Sequence, residues 1–437
     1  MAPTRSHASL DRSIRRWDLI GVVINGVIGA GIFGLPSKIF SLSGAHSIIA
    51  FGVCAVCVSL IVLSFAEVAS RFSGTGGPYL YARETYGPTS GFTVGWLVWI
   101  ARITSFAANC SLLPTYLDLF FHGAGSGLPR ALIITGIVVT LAVVNVTGVR
   151  LVANASNTLA IGKLLPLAVF VIAGFFFLDP ARFSFAVAPN YHSFSQSVLL
   201  LVYAFTGFEM AVIPGGEIRN PQRNLPAALM AGMTIVVVFY ILIQVVCIGT
   251  LPGLATSQRP LADAAARFLG TGGAIMITAG MVVSLAGNLN VLILSASRLV
   301  FAMGEYGDLP GSLAFVHTRY RTPIVSIVLT TAVMLVLTLS GTFIYLITLS
   351  TVSRLVTYFA TCAALPVLRR RATAPRAAFL LPAGTIVASA ALILIVWLLS
   401  NCTLLEARDT GIALAAGLVI YAVNRVTRSS SSVTPVE

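Results

Sequence analysis

The sequence predicts an all-α polytopic membrane protein of 12 transmembrane helices, ten of them forming a five-plus-five inverted repeat. Three observations carry this. Mean hydropathy is +0.94, with 57% hydrophobic and 9% charged residues, a composition outside the soluble globular classes. Twelve apolar stretches approach the roughly 20 residues that a span requires, joined mostly by loops too short for a soluble domain. The first and sixth of these stretches are interrupted by glycine within their apolar length.

Span 1 covers about Trp17 to Phe40 and contains Ile28-Gly29-Ala30-Gly31-Ile32-Phe33-Gly34-Leu35-Pro36. Continuous helix here is opposed by about 1 kcal/mol per glycine and about 3 for the proline. In hydrocarbon, non-helical backbone survives only where protein or a polar cavity satisfies it, so this stretch is expected to face a site. Span 2 runs from about Ser47 to Ser70. The turn-rich Ser73-Gly74-Thr75-Gly76-Gly77-Pro78-Tyr79 follows, with a short surface helix through Arg83 and Glu84. Spans 3, 4 and 5 run from Ser90 to Phe120, Leu132 to Thr147 and Thr158 to Leu178.

Span 6, about Ser195 to Ile218, repeats the anomaly. Tyr203-Ala204-Phe205-Thr206-Gly207-Phe208-Glu209 places a glycine and a carboxylate mid-span, with Pro214-Gly215-Gly216 just beyond. Spans 7 to 10 cover Leu225 to Thr250, Gly273 to Met303, Pro323 to Leu339 and Phe343 to Val367. The last two lie near Phe379 to Cys402 and Gly411 to Val423. An odd number of helices leads from one broken span to the other, so the two halves have opposite topology. Paired interrupted segments at matching positions point to a transporter's midplane site. The expected domains are a tail at 1–16, repeats at 17–178 and 195–367, the final helix pair at 379–425, and a tail at 426–437.

A net charge of +13 would suggest nucleic acid in a soluble protein. Here the arginines cluster in alternate loops: Arg5, Arg12, Arg15 and Arg16; Arg71 and Arg83; Arg150; Arg219 and Arg223; Arg319 and Arg321; Arg369, Arg370, Arg371 and Arg376; Arg425 and Arg428. By the positive-inside rule both termini are cytoplasmic, in a plasma or inner membrane, and no nucleic-acid partner is expected. Six cysteines in apolar segments indicate no disulfide framework. The sequence calls for no metal or nucleotide cofactor: Cys54 and Cys57 lack a third ligand nearby, and no P-loop is present. An enzyme would need a nucleophile and base or a metal cluster, but the five histidines are scattered. A channel would not explain opposed broken helices.

Gly29-Ala30-Gly31-Ile32-Phe33 with Leu35-Pro36 resembles the first-helix signature of the amino acid-polyamine-organocation (APC) superfamily. Gly76-Gly77-Pro78-Tyr79, Gly207-Phe208-Glu209, Asn220-Pro221-Gln222-Arg223-Asn224-Leu225-Pro226 and Ser297-Arg298 resemble further family positions, in order, over residues 17–370. The resemblance implies a LeuT-like fold and alternating-access transport of amino acids or amines. It assigns the substrate site to Val27, Gly29, Ala30, Gly31, Ile32, Tyr203, Ala204, Phe205 and Thr206. The N–H groups of Ala30, Gly31 and Ile32 would hold a carboxylate, and carbonyls of Val27, Tyr203, Ala204 and Thr206 an ammonium. Many relatives have Ser or Thr where this chain has Ala30, so a hydroxyl contact is lost.

Lys163 is one of two lysines, with Lys38, and lies within the fifth span. Ionisable groups in spans are usually functional, though near a helix end a lysine also snorkels to water. In sodium-independent relatives a similar lysine takes the place of a sodium ion, so Lys163 is the expected coupling residue and a proton the expected co-substrate. Glu209 is read as a gate, a partner for an arginine, or a cap on freed N–H groups. Arg102, about 18 Å along its helix, is read as a buried pair or carbonyl anchor, or as a contact to an acidic substrate or Glu209. Tyr203, Phe205 and Phe208 are read as packing aromatics or as an occluding gate. Asn288, Asn290, Ser353 and Arg354 are read as helix links, and Glu67 as a partner of Arg71 at i+4.

The function expected is sodium-independent, proton-coupled uptake of neutral amino acids, with an exchanger or a polyamine carrier as the alternative. The loop from Phe121 to Pro129 lacks the cysteine that joins some relatives to an ancillary glycoprotein, so no disulfide-linked subunit is expected.

Overall fold

The computed structural model describes residues 15–72, 76–118, 120–147, 152–212, 218–320 and 322–431. Side chains at 152–161, 221 and 428–431 are not described. The expectations placed on Arg5 and Arg12, Ser73 to Thr75, Arg150, Pro214 to Gly216, Arg321 and the last six residues lie outside the described residues.

The first span is two helices, α1 (Arg16–Val27) and α2 (Ala30–Ser43). Between them Ile28 (ψ 93°) and Gly29 (φ −125°, ψ −154°) are extended. The interruption is shorter than the sequence suggested, because α2 resumes at Ala30 and runs through Pro36. α3 (Ser47–Ala69), the short α4 (Pro78–Tyr86), α5 (Pro88–Leu117), α6 (Gly127–Thr147) and α7 (Val152–Phe175) follow. The sixth span is α8 (Tyr191–Phe205), which ends in extended Thr206 and left-handed Gly207 (φ 112°) before a 3-10 turn at Phe208–Met210.

α9 (Pro221–Thr250) leads into α10 (Pro260–Glu305), 46 residues long and non-helical at Gly270 (φ 62°). This eighth span starts 13 residues before the Gly273 expected for it, because the amphipathic turns ahead of Gly270 do not register as an apolar stretch. α11 (Ile324–Ser340), α12 (Phe343–Arg370), α13 (Gly384–Ser400) and α14 (Leu404–Ser431) complete the fourteen α-helices among the described residues.

Seven helical stretches are long and apolar enough to cross a membrane, and three shorter apolar helices accompany them. The protein is a multi-pass membrane protein. α5 is its axis: 94% of its apolar window is buried inside the protein, against 11% for α6, whose side chains are left to face lipid. Trp96 of α5 donates from Nε1 to the Ala413 carbonyl at 2.8 Å, anchoring α14 on the bundle's flank.

Two ionic clusters tie helix ends together. Glu67 is fully buried and accepts from Arg71 at 2.9 Å, as its i+4 spacing suggested. It also accepts from Arg369 Nε at 2.8 Å and from the Leu381 amide at 3.0 Å, which joins α3 to α12 and to the segment before α13. Asp308, after α10, accepts from Tyr79 Oη at 3.1 Å and Arg83 Nη1 at 3.3 Å on α4. Burial, reinforced by the Asp308 charge, pushes the Tyr79 phenol above its ordinary pKa. The six cysteines are free thiols, all buried except the half-buried Cys402.

Removing one partner of a buried ion pair leaves an uncompensated charge, at a cost of roughly 3 kcal/mol or more. Glu67→Gln is therefore expected to lower the thermal midpoint of the detergent-purified protein well beyond the change for Asp179→Asn, whose pair with Arg182 is half-exposed.

Candidate functional site

The two interruptions touch each other. A Cβ at Gly207 would strike the carbonyl oxygen of Gly26, and a Cβ at Gly26 would lie 2.7 Å from the carbonyl oxygen of Gly207. One turn further, a Cβ at Gly31 would lie 2.8 Å from the Ala204 Cα. Only glycine lets backbone pass this close to backbone, and at Gly207 the positive φ independently selects it.

Several of the backbone groups freed by the breaks find side chains. Val27 O accepts from Tyr240 Oη at 3.1 Å and Ile28 O from Ser284 Oγ at 3.4 Å. Tyr203 O accepts from Thr206 Oγ1 at 2.7 Å, and Gly207 N donates to Glu209 Oε2 at 2.9 Å. The N-terminus of α2 differs. Gly29 provides no side-chain cap, so the amides of Ala30, Gly31 and Ile32 open a helix without intrahelical partners. This is the positive end of a helix dipole, suited to an anion.

Beside it lies a polar cavity of about 20 Å³, bordered by Gly29, Gly31, Asn109, Tyr203, Thr206, Asn288 and Arg354 among others. That is room for about one water molecule, so the site is closed in this conformation. A relay crosses it: Tyr203 Oη donates to Asn109 Oδ1 at 2.7 Å, and Asn109 Nδ2 donates to Asn288 Oδ1 at 2.7 Å. The relay links α8, α5 and α10.

Arg354 of α12 forms the charged wall. Its Nη1 pairs with Glu209, Nη2 donates to Ser105 Oγ at 2.9 Å and Nε to Ser350 Oγ at 3.3 Å. Glu209 also accepts from Tyr358 Oη at 2.9 Å. Both carboxylate oxygens are engaged, and the arginine's charge is matched.

Of the residues named from sequence, Val27, Gly29, Gly31, Tyr203 and Thr206 border the cavity, whereas Ala30, Ile32, Ala204 and Phe205 stand behind it, buried. Phe205 packs on Phe51 and Tyr240, and Phe208 on Phe65 and Tyr358, so neither ring faces the cavity. Tyr203 alone of the three aromatics does. Glu209 takes Arg354, not Arg102, as its ion-pair partner. Arg102 is 4% exposed and has no carboxylate partner among the described residues. Lys163, 2% exposed, donates to the Asn25 carbonyl at 3.2 Å, one turn before the α1 break.

Arg354 and Asn288 reach the cavity wall although their sequence reading stopped at linking helices, and Ser105, Asn109 and Met210 drew no reading at all. A signal existed. Arg102, Ser105 and Asn109 recur at three- and four-residue spacing on an apolar helix, and Ser350, Arg354 and Tyr358 at four-residue spacing on another. Such a polar stripe inside a span marks the face turned from lipid.

Interrupted helices meeting over a small polar cavity inside an apolar bundle form the arrangement of a small-molecule carrier. The family model described as amino acid permease matches residues 14–423, and the chain belongs to that family. It is 28% identical to the serine/threonine exchanger SteT of Bacillus subtilis over 91% of this chain and 92% of the relative. It is 25% identical to the methylthioribose transporter of the same organism, over 72% of each chain. Similarity to its branched-chain amino acid permease BcaP is 24%, over 75% of this chain and 74% of the relative. The protein is thus a transporter of the APC superfamily and not an enzyme, and its substrate class is amino acids.

Gly207→Ala is expected to lower stability by about 2 kcal/mol, the scale of a strained backbone position, and to abolish transport by wedging the two breaks apart. Gly52→Ala, whose Cβ would meet nothing within 4 Å, is the neutral control. Thermal unfolding and uptake measured on both variants check this.

Proposed function

We propose that the protein is a secondary active amino acid transporter working by alternating access, sodium-independent and coupled to protons, that takes up neutral amino acids. Twelve spans, an inverted repeat over 17–178 and 195–367, and cytoplasmic termini belong to this reading. The observation that carries it is the uncapped N-terminus of α2 bordering a polar cavity. The substrate carboxylate takes the amides of Ala30, Gly31 and Ile32. Its ammonium takes carbonyls among Val27, Tyr203, Ala204 and Thr206; Val27 O has a second lone pair beside its Tyr240 bond, whereas Tyr203 O must give up one of its two bonds from Thr206 to take part.

Neutral selectivity follows from the wall. Arg354 is matched by Glu209, and the remaining polar groups, Ser105, Asn109, Tyr203, Thr206 and Asn288, are uncharged. A side chain with its own charge would enter without a partner. The serine/threonine exchanger SteT and the branched-chain amino acid permease BcaP, as their names state, also carry neutral side chains. Because the cavity holds about 20 Å³, the helices must part to admit any amino acid, and parting toward one side at a time is alternating access.

Lys163 is the coupling residue in this reading, since its ammonium holds the α1 backbone beside the break. Losing the proton weakens that charge-assisted hydrogen bond and frees the N-terminal half of α1 to move. Obligatory exchange is the second reading, favoured by similarity to an exchanger along nearly the whole chain.

Thermal unfolding across the free amino acids and several polyamines is expected to show stabilisation by a neutral subset, by about 2.7 kcal/mol at one hundred times the dissociation constant. A response only to decarboxylated amines would remove the carboxylate from the α2 N-terminus. In proteoliposomes, an inward proton gradient is expected to accelerate uptake of the stabilising amino acid. Lys163→Met is expected to abolish that acceleration. Full pH-sensitive uptake by the variant would refute coupling through Lys163. Uptake only against preloaded amino acid, gradient or not, would select exchange.

A further inference from the structure

A second cavity adjoins the first. It measures about 170 Å³ and is bordered by Val22, Asn25, Met210, Gly287, Asn288 and Val291. Gly26, Met210 and Asn288 border both cavities, so only this thin wall divides them. The larger one lies toward the N-terminal half of α1, on the side of Lys163. An engineered cavity of about 150 Å³ is enough to bind benzene, with six heavy atoms. A small amino acid has about seven or eight, so this space is of the right size, whereas the central cavity is closed around about one water.

The lining suits an amphipathic zwitterion more than lipid. Val22, Val291 and Met210 are apolar, while Asn25 and Asn288 are carboxamides. The Asn25 side-chain oxygen is buried without a hydrogen-bond partner. Leaving a buried acceptor unpaired is costly, so a protein is not expected to keep one there without use. Asn288 accepts from Asn109 through its oxygen, and among the described residues its N–H groups have no acceptor. One wall therefore offers an unused acceptor and the other an unused donor. An ammonium and a carboxylate are the complementary pair.

We propose that this cavity is a second amino-acid site, occupied in transit between the central cavity and the aqueous space beside the N-terminal half of α1. In it Asn25 Oδ1 accepts from the substrate ammonium and Asn288 Nδ2 donates to the carboxylate. Met210, on the 3-10 turn after the α8 break, is the side chain that swings to pass substrate from one cavity to the other. The proposal rests on the central cavity being an amino-acid site. It adds a stopping point and a divider on the path.

The test is substrate protection of a cysteine at Val291, in a background with Cys402→Ser so that the remaining native thiols are buried. Purified protein is labelled with N-ethylmaleimide in the presence of millimolar L-serine, L-threonine and L-leucine, and thermal unfolding is measured in the same mixture. Labelling of Val291→Cys is expected to slow severalfold when the amino acids are present. Adding Asn25→Ala, which removes no observed side-chain hydrogen bond, is expected to restore the unprotected rate while the thermal stabilisation persists.

Absence of protection overturns the second site. If thermal stabilisation is nevertheless seen, the central site stands alone; if that too is absent, the amino-acid reading of the central cavity falls with it. Protection that survives Asn25→Ala also overturns the proposal, because closure driven from the central cavity gives that result without occupancy.

Discussion

The structure depends on how backbone hydrogen bonds are satisfied at two interruptions inside an apolar bundle. Ending a helix frees four amides or four carbonyls, and hydrocarbon offers them nothing. Here the breaks solve the problem by meeting. Gly26 and Gly207 pass backbone against backbone; Tyr240 and Ser284 reach the freed groups of the first break from neighbouring helices, and Thr206 and Glu209 cap those of the second from within it. The amides at the start of α2 have no side-chain cap, and the polar cavity opens there. The position of the site follows from which groups the fold left unpaired.

Charge is handled on the same terms. A buried ion pair contributes little net stability against a well-packed apolar pair, but it is strongly destabilising to break. Arg354 with Glu209, and Glu67 with Arg71 and Arg369, therefore act as constraints on helix position more than as sources of stability. The first pins α12 to the α8 break and brings a guanidinium to the cavity wall. The second pins α3 to the far end of α12. Any motion that opens the cavity must carry these clusters intact as rigid pieces or exchange their partners, because leaving either half bare is worse than not moving.

The glycines show how tightly this motion is confined. At Gly31 no side chain fits between α2 and the end of α8, and at Gly207 none fits between the end of α1 and the turn after α8, so the two breaks are interlocked. The relay through Tyr203, Asn109 and Asn288 crosses from α8 to α5 and α10 by two hydrogen bonds of 2.7 Å. Hydrogen bonds between membrane helices are worth roughly 1 kcal/mol each. That is weak enough to break in each cycle, unlike the glycine contacts, which cannot slide.

Much of this was legible in the sequence, because hydropathy and helix-breaking residues are local properties. Apolar length and composition mark a polytopic helical protein. Gly29 and Gly207 mark the breaks, since glycine opposes continuous helix whatever packs nearby, and the i+4 spacing marks the Glu67 to Arg71 pair. Partner choice was not legible. Arg102 and Arg354 look alike in a linear chain, yet only the packing of α12 against α5 and α8 decides that Arg354 meets Glu209 while Arg102 does not. Phe205, Phe208 and Tyr203 share one short segment, but their neighbours turn two of them into packing and one toward the cavity. Asn109 and Asn288 lie 179 residues apart and become a hydrogen-bonded pair only when two helices cross. Spans and breaks were therefore determined by the sequence alone, through local energetics, and the cavity wall by the tertiary structure, because long-range packing selects which polar groups face one another.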